Sequence, residues 1–165
     1  MTDWANWQPG ERAVLLFVIR DGEILLIRKK RGLGAGKING PGGRVEPGES
    51  PAEAAVRETR EELLVAPSPP RHHGELHFQF TDGYALQCAV FVSDDCEGTP
   101  QETDEAEPLW TPLNAIPFHD MWADDIHWLP GVICGGVFRA YFDFEGESML
   151  THHVIWDVPP TAPGN

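Results

Sequence analysis

The segment 43–65, which reads GRVEPGESPAEAAVRETREELLV, restricts the possible structures of this chain more than any other. Ser50 and Glu53 have the spacing of a helix capping box, and Pro51 suits the first position of a helix. Most of the residues that follow are good helix formers. The sequence therefore predicts a helix that begins after Ser50.

Three carboxylates crowd one face of this predicted helix. Glu58, Glu61 and Glu62 are three or four positions apart, a spacing at which exposed like charges repel by roughly a few tenths of a kcal/mol per pair. Carboxylate oxygens are suitable ligands for Mg²⁺ or Mn²⁺, so the cluster indicates a bound cation. The alternative is a solvated acidic face with local arginine partners.

The spacing of these residues resembles the Nudix box, G-x5-E-x7-R-E-U-x-E-E-x-G-U, in which U is a bulky apolar residue. The matching positions are Gly43, Glu49, Arg57, Glu58, Glu61, Glu62 and Val65. Thr59 is only partly apolar, and Leu64 stands where the pattern has glycine. Because that glycine ends the helix in a left-handed turn, we expect the helix exit to be built differently here. Glu49 and Arg57 are expected to form an ion pair that braces the preceding loop.

Composition restricts the class of protein. The 165 residues, 41% of them hydrophobic, suit one globular domain over 1–165, with an extension over 1–10 and a frayed tail over 158–165. No apolar run is long enough to span a membrane, and we expect no secretory signal. Three cysteines without ligand spacing are expected to be reduced, which favours a cytoplasmic protein.

The charge distribution is uneven. The net charge of −14 argues against a nucleic-acid polymer as partner. Five of the twelve basic residues nevertheless lie within 28–37. This basic segment could bind a small polyanion, or it could simply be a charged surface loop.

The rest of the chain alternates between β-prone runs and turn signals. Strands are predicted over 13–19 and 23–28, over 75–80 and 84–92, and over 135–144 and 148–156. The glycine-rich segment 29–43 is predicted to lack regular structure and to wrap over a ligand, with a short strand over 43–46. A short helix near Asp124 is predicted to end at Pro130-Gly131. These elements predict an α+β architecture, a mixed sheet with helices on its faces.

The resemblance covers most of the chain. The segments KKRGLGAGKINGPGGRVEPGES and DEAEPLWTPLNAIPFHDMWADDIHW, with the FQF stretch, resemble the oxidized purine nucleoside triphosphatase branch of the Nudix family, the mammalian relatives of bacterial MutT. This implies the Nudix fold, an α/β/α sandwich with a central mixed sheet and the box helix packed on it. It also implies hydrolysis of 8-oxo-dGTP and 2-hydroxy-dATP to monophosphate and pyrophosphate, which sanitises the nucleotide pool.

The resemblance also implies a metal shell. Its expected members are the Gly42 carbonyl, Glu58, Glu61, Glu62 and Glu105, holding Mg²⁺ or, as a substitute, Mn²⁺. Such ions would bridge phosphate oxygens and lower the pKa of bound water. Substitution of Glu62 is expected to reduce activity most. The general base is Glu61, Glu62 or Glu105, and the sequence leaves that choice open.

A pocket for the purine base is implied in the same way. Its expected residues are Val14, Lys29, Asn39, Pro41, Gly42, Gly43, Arg44, Phe78, Phe80, Trp122, Ala123, Asp124, Asp125 and Trp128. Asn39 offers a donor and an acceptor to a purine edge, or is a turn residue before Gly40. The aromatic residues are either walls for the base or core residues.

Asp124 and Asp125 are adjacent carboxyls between two tryptophans. They could simply favour the dipole at a helix N-terminus. If they face a purine in an apolar pocket, both cannot easily be charged, so one is protonated and donates a hydrogen bond. Exchanging the protonated group would let the site accept oxidized guanine or oxidized adenine.

Three positions differ from the branch, which has a hydroxyl residue at Val14 and aromatic residues at Leu33 and Pro41. We therefore expect an altered or broader base preference. The alternatives are a Nudix pyrophosphatase for a dinucleoside polyphosphate, ADP-ribose or a nucleotide sugar, and a non-catalytic nucleotide sensor. The expected protein is a monomer that binds a small nucleotide and neither a nucleic-acid polymer nor a membrane.

Overall fold

A computed structural model describes residues 1–159 of the chain. The strands and helices follow in the order β1 Glu11–Arg20, β2 Glu23–Lys29, β3 Ile38–Asn39, β4 Gly42–Arg44, α1 Pro51–Leu63, β5 Ala66–Pro67, β6 Arg71–Phe80, β7 Ala85–Ser93, β8 Cys96–Glu97, β9 Ala106–Pro112, a 3-10 turn Phe118–Asp120, α2 Asp125–Ile133, β10 Phe138–Glu145 and β11 Ser148–Trp156. From residue 160 on, the predicted frayed tail lies outside the described residues.

The main sheet is mixed and has nine strands. Its order is β11-β10-β6-β7-β1-β2-β3, with β4 paired to β1 and β9 paired to β2. The pairs β1/β7 and β6/β10 are parallel, and the other pairs are antiparallel. Strand β1 pairs with β4 over Ala13–Leu15 but with β2 only at Ile19 and Arg20. The sheet therefore opens between β4 and β2, and Gly40-Pro41 crosses this opening.

The predicted hairpin at Asp21-Gly22 is confirmed. Both residues have positive φ, 52° and 76°, as the favoured two-residue turn requires. They place Arg20 opposite Glu23 in the β1–β2 register. The hairpins β6–β7 and β10–β11 are confirmed as well.

Each face of the sheet carries one helix. Leu16 and Val18 of β1 pack toward α1, together with Ala54 and Ala55 of that helix. Phe17 points to the opposite face and packs in the cluster that holds Trp128 and Leu129 of α2. This alternation within one buried strand explains the two apolar layers, and it confirms the predicted α+β sandwich.

The structure corrects four local predictions. The glycine-rich segment contains the short strand β3, and β4 covers Gly42–Arg44 rather than 43–46. Helix α2 continues to Ile133 with Pro130 inside it. The end of α1 has the same left-handed backbone turn that the pattern builds with glycine. Leu64 itself adopts this conformation, with φ 59° and ψ 35°.

The N-terminal extension packs through its tryptophans. Trp4 lies 5.1 Å from Tyr141 between ring centroids, and Trp7 contacts the His77 ring edge-on. The Trp7 indole N–H also donates to Gln79 at 2.8 Å. In the part of the chain from residue 1 to 159, no helix is both long and apolar enough to cross a membrane.

Candidate active site

Arg57 connects the loop before α1 to the acidic face of that helix. Its Nε atom lies 2.7 Å from Glu49 Oε2, and its Nη2 atom donates to Glu49 Oε1 and to the Arg44 carbonyl, both at 3.0 Å. The guanidinium holds the pKa of Glu49 below its ordinary value. The predicted ion pair is thus formed, and it orients the next residue, Glu58.

Glu62 is the most buried member of the carboxylate cluster, at 3% exposure. Its Oε1 atom accepts a hydrogen bond of 2.9 Å from the Gly42 N–H of β4. Burial, only partly offset by this bond, and the nearby charges of Glu58 and Glu105 raise its pKa to about 8. A buried carboxylate with acidic neighbours is an environment that a cation would stabilise.

Glu58 lies against the backbone of β4. A Cβ atom on Gly43 would come within 2.5 Å of the Glu58 carboxylate, so only glycine allows this approach. Burial raises the pKa of Glu58, although Arg57 Nη1 donates to it at 2.8 Å. The close contact of β4 with α1 therefore sets where this carboxylate points.

Glu61 and Glu105 complete the cluster at its exposed side. Glu61 lies 3.3 Å from Arg57 Nη1, and Glu105 lies 3.4 Å from Arg31 Nη2. The loop that carries Glu105 is attached to α1 by Thr103, whose hydroxyl donates to the Glu62 carbonyl and accepts from the Glu105 N–H. This attachment brings an acid from residue 105 to the helix.

The carboxylates do not form a ready-made cage. Within residues 1–159, no group of three or more His, Cys, Asp or Glu side chains is arranged to hold a metal ion. Glu58, Glu61, Glu62 and Glu105 each have a hydrogen-bond or ion-pair partner within the protein. Their donor chemistry and mutual repulsion nevertheless fit a hard divalent cation.

A cavity opens beside this cluster, where the sheet separates along β1. The predicted site residues that line it are Val14, Lys29, Asn39, Gly42, Gly43, Glu62, Phe78, Phe80, Trp122, Asp124 and Asp125. Because Glu62 belongs to both sets, the cavity reaches the carboxylate cluster directly.

Four predicted pocket residues lie outside the lining of this cavity. Pro41 is buried, and its carbonyl accepts from the Leu16 N–H. Arg44 is exposed and pairs with Glu11 at 3.0 Å. Ala123 is exposed, and Trp128 is fully buried behind the cavity.

Sequence reasoning missed several lining residues. These are Ala13, Leu15, Ile27, Gly40, Leu76, Leu86, Cys88 and Phe144, together with Leu33, which was singled out only as a departure. Phe144 lies opposite Phe80 in the β10–β6 register, and Leu86 lies opposite Phe78 in the β6–β7 register. The alternation in β6 was visible, so knowing the strand order would have identified these partners.

Aromatic side chains and the amide of Asn39 form part of the cavity wall. Trp122 meets Phe80 and Phe144 edge-on, with ring centroids 6.3 and 5.7 Å away. Asn39 accepts from the Gly40 N–H through Oδ1 at 2.8 Å, which leaves its amide N–H groups available as donors. Such walls suit a flat heterocycle with hydrogen-bonding edges.

The two adjacent aspartates are buried in this cavity, with exposures of 1% for Asp124 and 4% for Asp125. Burial raises the pKa of both carboxyls, and the Trp128 indole N–H, 2.8 Å from Asp124 Oδ2, opposes the rise at Asp124. At Asp125 the charge of Asp124 adds to the effect of burial, so its pKa rises well above its ordinary value. Burial and the neighbouring carboxylate thus both raise the pKa of Asp125, whereas hydrogen bonds oppose the effect of burial at Asp124.

Asp125 also offers an unused atom to a ligand. Its Oδ2 is buried and has no hydrogen-bond partner among residues 1–159. Asp124, the residue before α2, makes no capping bond with its side chain. Both aspartates therefore line the cavity, and the Asp124 side chain does not cap the helix.

Comparisons with known proteins found related sequences and structures. The sequence profile of the NUDIX domain matches residues 9–132. The oxidized purine nucleoside triphosphate hydrolase of Danio rerio is 39% identical over 145 residues, 87% of this chain and 93% of that relative. The protein of the same name from Mus musculus is 34% identical, with the same coverage of both chains.

A solved structure, the mutator MutT protein of Bacillus halodurans, matches with a TM-score of 0.77. The match covers 87% of this chain and 97% of that chain at 22% identity, so it shows the fold alone.

Proposed function

This chain belongs to the Nudix family, and from that premise we propose that it hydrolyses oxidized purine nucleoside triphosphates to monophosphates and pyrophosphate. One observation carries the proposal. A single cavity has a carboxylate of the Nudix helix, Glu62, at one part of its lining, and aromatic walls and a buried aspartate pair at another. This arrangement suits a substrate with a triphosphate and a purine base.

The carboxylate cluster is the proposed metal site. Glu58, Glu61, Glu62, Glu105 and the Gly42 carbonyl would hold Mg²⁺, or Mn²⁺ in its place. When bound, the cation would supply charge stabilisation at the phosphates and activation of a water molecule. Arg57 orients Glu58 and Glu61, and the Gly42 N–H orients Glu62. The general base is one of Glu61, Glu62 and Glu105.

Lys29 and Asn39 are the proposed polar contacts at the cavity wall. Lys29 lines the cavity, and its Nζ atom donates to the Leu33 carbonyl at 2.8 Å. Its charge lies close enough to Glu62 to oppose the rise in the pKa of that carboxyl, although burial outweighs it. A cation in this position can approach a phosphate group, and Asn39 can bind the purine edge.

The aspartate pair is proposed to read the base. With Asp125 protonated and Asp124 charged, the pair offers one donor and one acceptor to a purine edge. Moving the proton to Asp124 would reverse the pattern and suit a base with the opposite arrangement.

We expect Asp124→Asn and Asp125→Asn to weaken hydrolysis of 8-oxo-dGTP and 2-hydroxy-dATP unequally. An amide cannot exchange donor and acceptor roles by gaining or losing a proton, so each variant retains only some patterns. The measurement is kcat/KM for both substrates with each variant. Equal retention of both activities would reject the proposed role.

Departures from the branch pattern are proposed to broaden the base preference. Val14 and Leu33 line the cavity, so the loss of a hydroxyl and of an aromatic ring there removes a polar contact and stacking area. Pro41 lies outside the lining, so its departure is expected to matter less.

The decisive experiment is a turnover screen with Mg²⁺, read by pyrophosphate release. Damaged purine triphosphates should be hydrolysed well ahead of normal nucleotides, dinucleoside polyphosphates, ADP-ribose and nucleotide sugars. Preference for one of the last three would instead assign another Nudix pyrophosphatase activity. Binding without turnover of any nucleotide would indicate a sensor.

We further propose that residues 1–165 act as one monomeric domain on small nucleotides, without a nucleic-acid polymer or a membrane as partner. Cys88, Cys96 and Cys134 are free thiols. They suit the reducing cytoplasm that we propose as its location.

A further inference from the structure

The segment 30–37, here called the basic loop, contacts a wall of the base cavity. Leu33 lines the cavity although it is 51% exposed. Gly34 has φ +81°, and a Cβ atom there would lie 2.7 Å from Trp122 Nε1. The tip of the basic loop therefore rests directly on the indole of Trp122.

Lys37, at the end of the basic loop, makes two contacts of its own. Its Nζ atom lies 5.4 Å from the centroid of the Trp122 ring. The same atom is 2.9 Å from Oε1 of Glu147, which belongs to the turn between β10 and β11. Lys37 thus joins three parts of the molecule, which are the basic loop, the cavity wall and the β10–β11 turn.

The other end of the basic loop is attached elsewhere. Lys30 pairs with Glu102, and Arg31 pairs with Glu105, both in the segment before β9. Among the ion pairs of residues 1–159, Lys37–Glu147 is the one that joins the basic loop to the β10–β11 turn. Without it, one side of the loop would lose its connection to that turn.

We propose that Lys37 and Glu147 form a latch that holds the basic loop and Trp122 across the mouth of the base cavity. Lys37 is therefore a positioning residue that acts on the base through Trp122 and the loop. This inference rests on the proposed function, because it assumes that the base binds in this cavity.

The free energies of the two Lys37 contacts are small, as expected for a loop that opens and closes. Glu147 is 69% exposed and Lys37 is 24% exposed at their side chains. An exposed ion pair changes an equilibrium by roughly twofold to fivefold, and an exposed cation–π contact by a similar factor. Such energies are too small to decide whether the protein folds, but they are large enough to shift a loop between closed and open states.

The kinetic test compares the latch with a matched position on the same hairpin. Glu147→Gln removes the charge that Lys37 contacts, whereas Glu145→Gln removes an exposed charge two residues away that is in no ion pair of residues 1–159. We expect KM for 8-oxo-dGTP to rise about threefold in E147Q and to stay unchanged in E145Q. In K37M, which loses both contacts, KM should rise about fivefold to tenfold, with kcat within about twofold.

Two rescue variants separate positioning from a general structural effect. Lys37→Arg keeps the charge and can stack on the indole, so its KM should match the wild type. The charge swap K37E/E147K restores the ion pair but not the contact with Trp122. KM in the charge swap should therefore be lower than in K37M by about the factor that E147Q raises it, and the part that depends on the contact with Trp122 should remain lost.

Hydrogen exchange of segment 30–37 tests the latch without any turnover. Exchange should accelerate in E147Q and K37M, remain as in the wild type in E145Q, and slow again in the charge swap. If the wild type hydrolyses no damaged purine triphosphate, the proposed function fails while this measurement still decides the latch. The latch is overturned if E147Q matches E145Q in both KM and exchange, or if the charge swap recovers nothing.

Discussion

At the scale of single residues, Leu64 shows a local conflict between side chain and backbone. It closes α1 with φ 59°, a region that residues with a Cβ atom rarely adopt, and its N–H still donates to the Arg60 carbonyl at 2.9 Å. The residue is 55% exposed, so its side chain contributes little to the core. The backbone geometry at this helix end therefore prevails over the preference of the residue.

Leu64→Gly is expected to stabilise the protein. Glycine adopts this conformation without strain, and its greater freedom in the unfolded chain offsets only part of the gain. We expect the free energy of unfolding to rise by about 0.5–1 kcal/mol. Urea unfolding measures the change, with Leu64→Ala as the control that should give no gain. A less stable glycine variant would contradict the account.

A second prediction concerns Arg57, whose side chain is only 22% exposed and binds Glu49, Glu58 and the Arg44 carbonyl. Arg57→Met should lower the free energy of unfolding by about 2 kcal/mol, as expected for hydrogen bonds to charged groups. Arg60→Met, on the exposed side of the same helix, should change it little.

The effect of Arg57 should depend on pH. Because the folded pKa of Glu49 is depressed below its ordinary 4.5, its contribution is present above that value and is lost as pH falls through the folded pKa. The difference in stability between wild type and Arg57→Met should therefore shrink in acid. Urea unfolding at neutral pH and below the ordinary pKa of glutamate measures this. An equal difference at both pH values would show that the pair with Glu49 is not responsible.

At the scale of elements, α2 holds the aspartate pair against the cavity despite a proline in its interior. Pro130 lacks the N–H that would bond to the Ile126 carbonyl, and its ring crowds that carbonyl. The helix nevertheless continues to Ile133 because Trp128, Leu129 and Val132 are buried in the core. Tertiary packing thus prevails over a local signal for ending the helix.

Pro130→Ala should therefore stabilise the protein. Pro130 is exposed, so the smaller side chain leaves no cavity, and the restored N–H can complete the helix. We expect a gain of about 1 kcal/mol in the free energy of unfolding, less than the full helix-interior penalty because the backbone has already adapted. Pro130→Gly should give no gain. Thermal unfolding followed by circular dichroism distinguishes the outcomes, and a lower midpoint for the alanine variant would refute the argument.

At the scale of the whole molecule, the acidic cluster is assembled from α1, β4 and the loop before β9. Its carboxylates pair with groups of the protein but still repel one another. A bound cation would relieve this repulsion. Divalent binding should therefore stabilise the folded state as a whole, by about 2.7 kcal/mol when Mg²⁺ is at 100 times its dissociation constant.

Thermal unfolding with and without Mg²⁺ measures this stabilisation. In Glu62→Gln the shift caused by Mg²⁺ should largely disappear, while the metal-free protein should be about as stable as the wild type. The glutamine oxygen can still accept the Gly42 N–H bond, and the raised pKa of Glu62 means that little charge is lost near neutral pH. Glu145→Gln, far along the chain on an exposed hairpin, should keep the full shift. A shift retained in Glu62→Gln would place the cation elsewhere.

The amino-acid sequence by itself determined the features that depend on neighbouring residues. The capping box at Ser50, the positive-φ turn at Asp21-Gly22 and the alternation of Leu76, Phe78 and Phe80 all follow from backbone geometry within a few positions. The spacing of the acids on α1 likewise follows from the helical repeat. These signals were sufficient for a mixed α+β architecture and for the acidic face, whereas the expected cavity residues came from the resemblance to the Nudix family.

Only the tertiary structure decided which distant residues meet. β10 lies parallel to β6, which puts Phe144 beside Phe80, and Lys37 reaches Glu147 across 110 positions of the chain. The tertiary structure also decided that Leu64 adopts a left-handed conformation and that Pro130 lies inside a helix, both against their local preferences. The physical reason is that strand order and helix ends are set by burial of the whole core, a sum over many distant contacts that no short stretch of sequence contains.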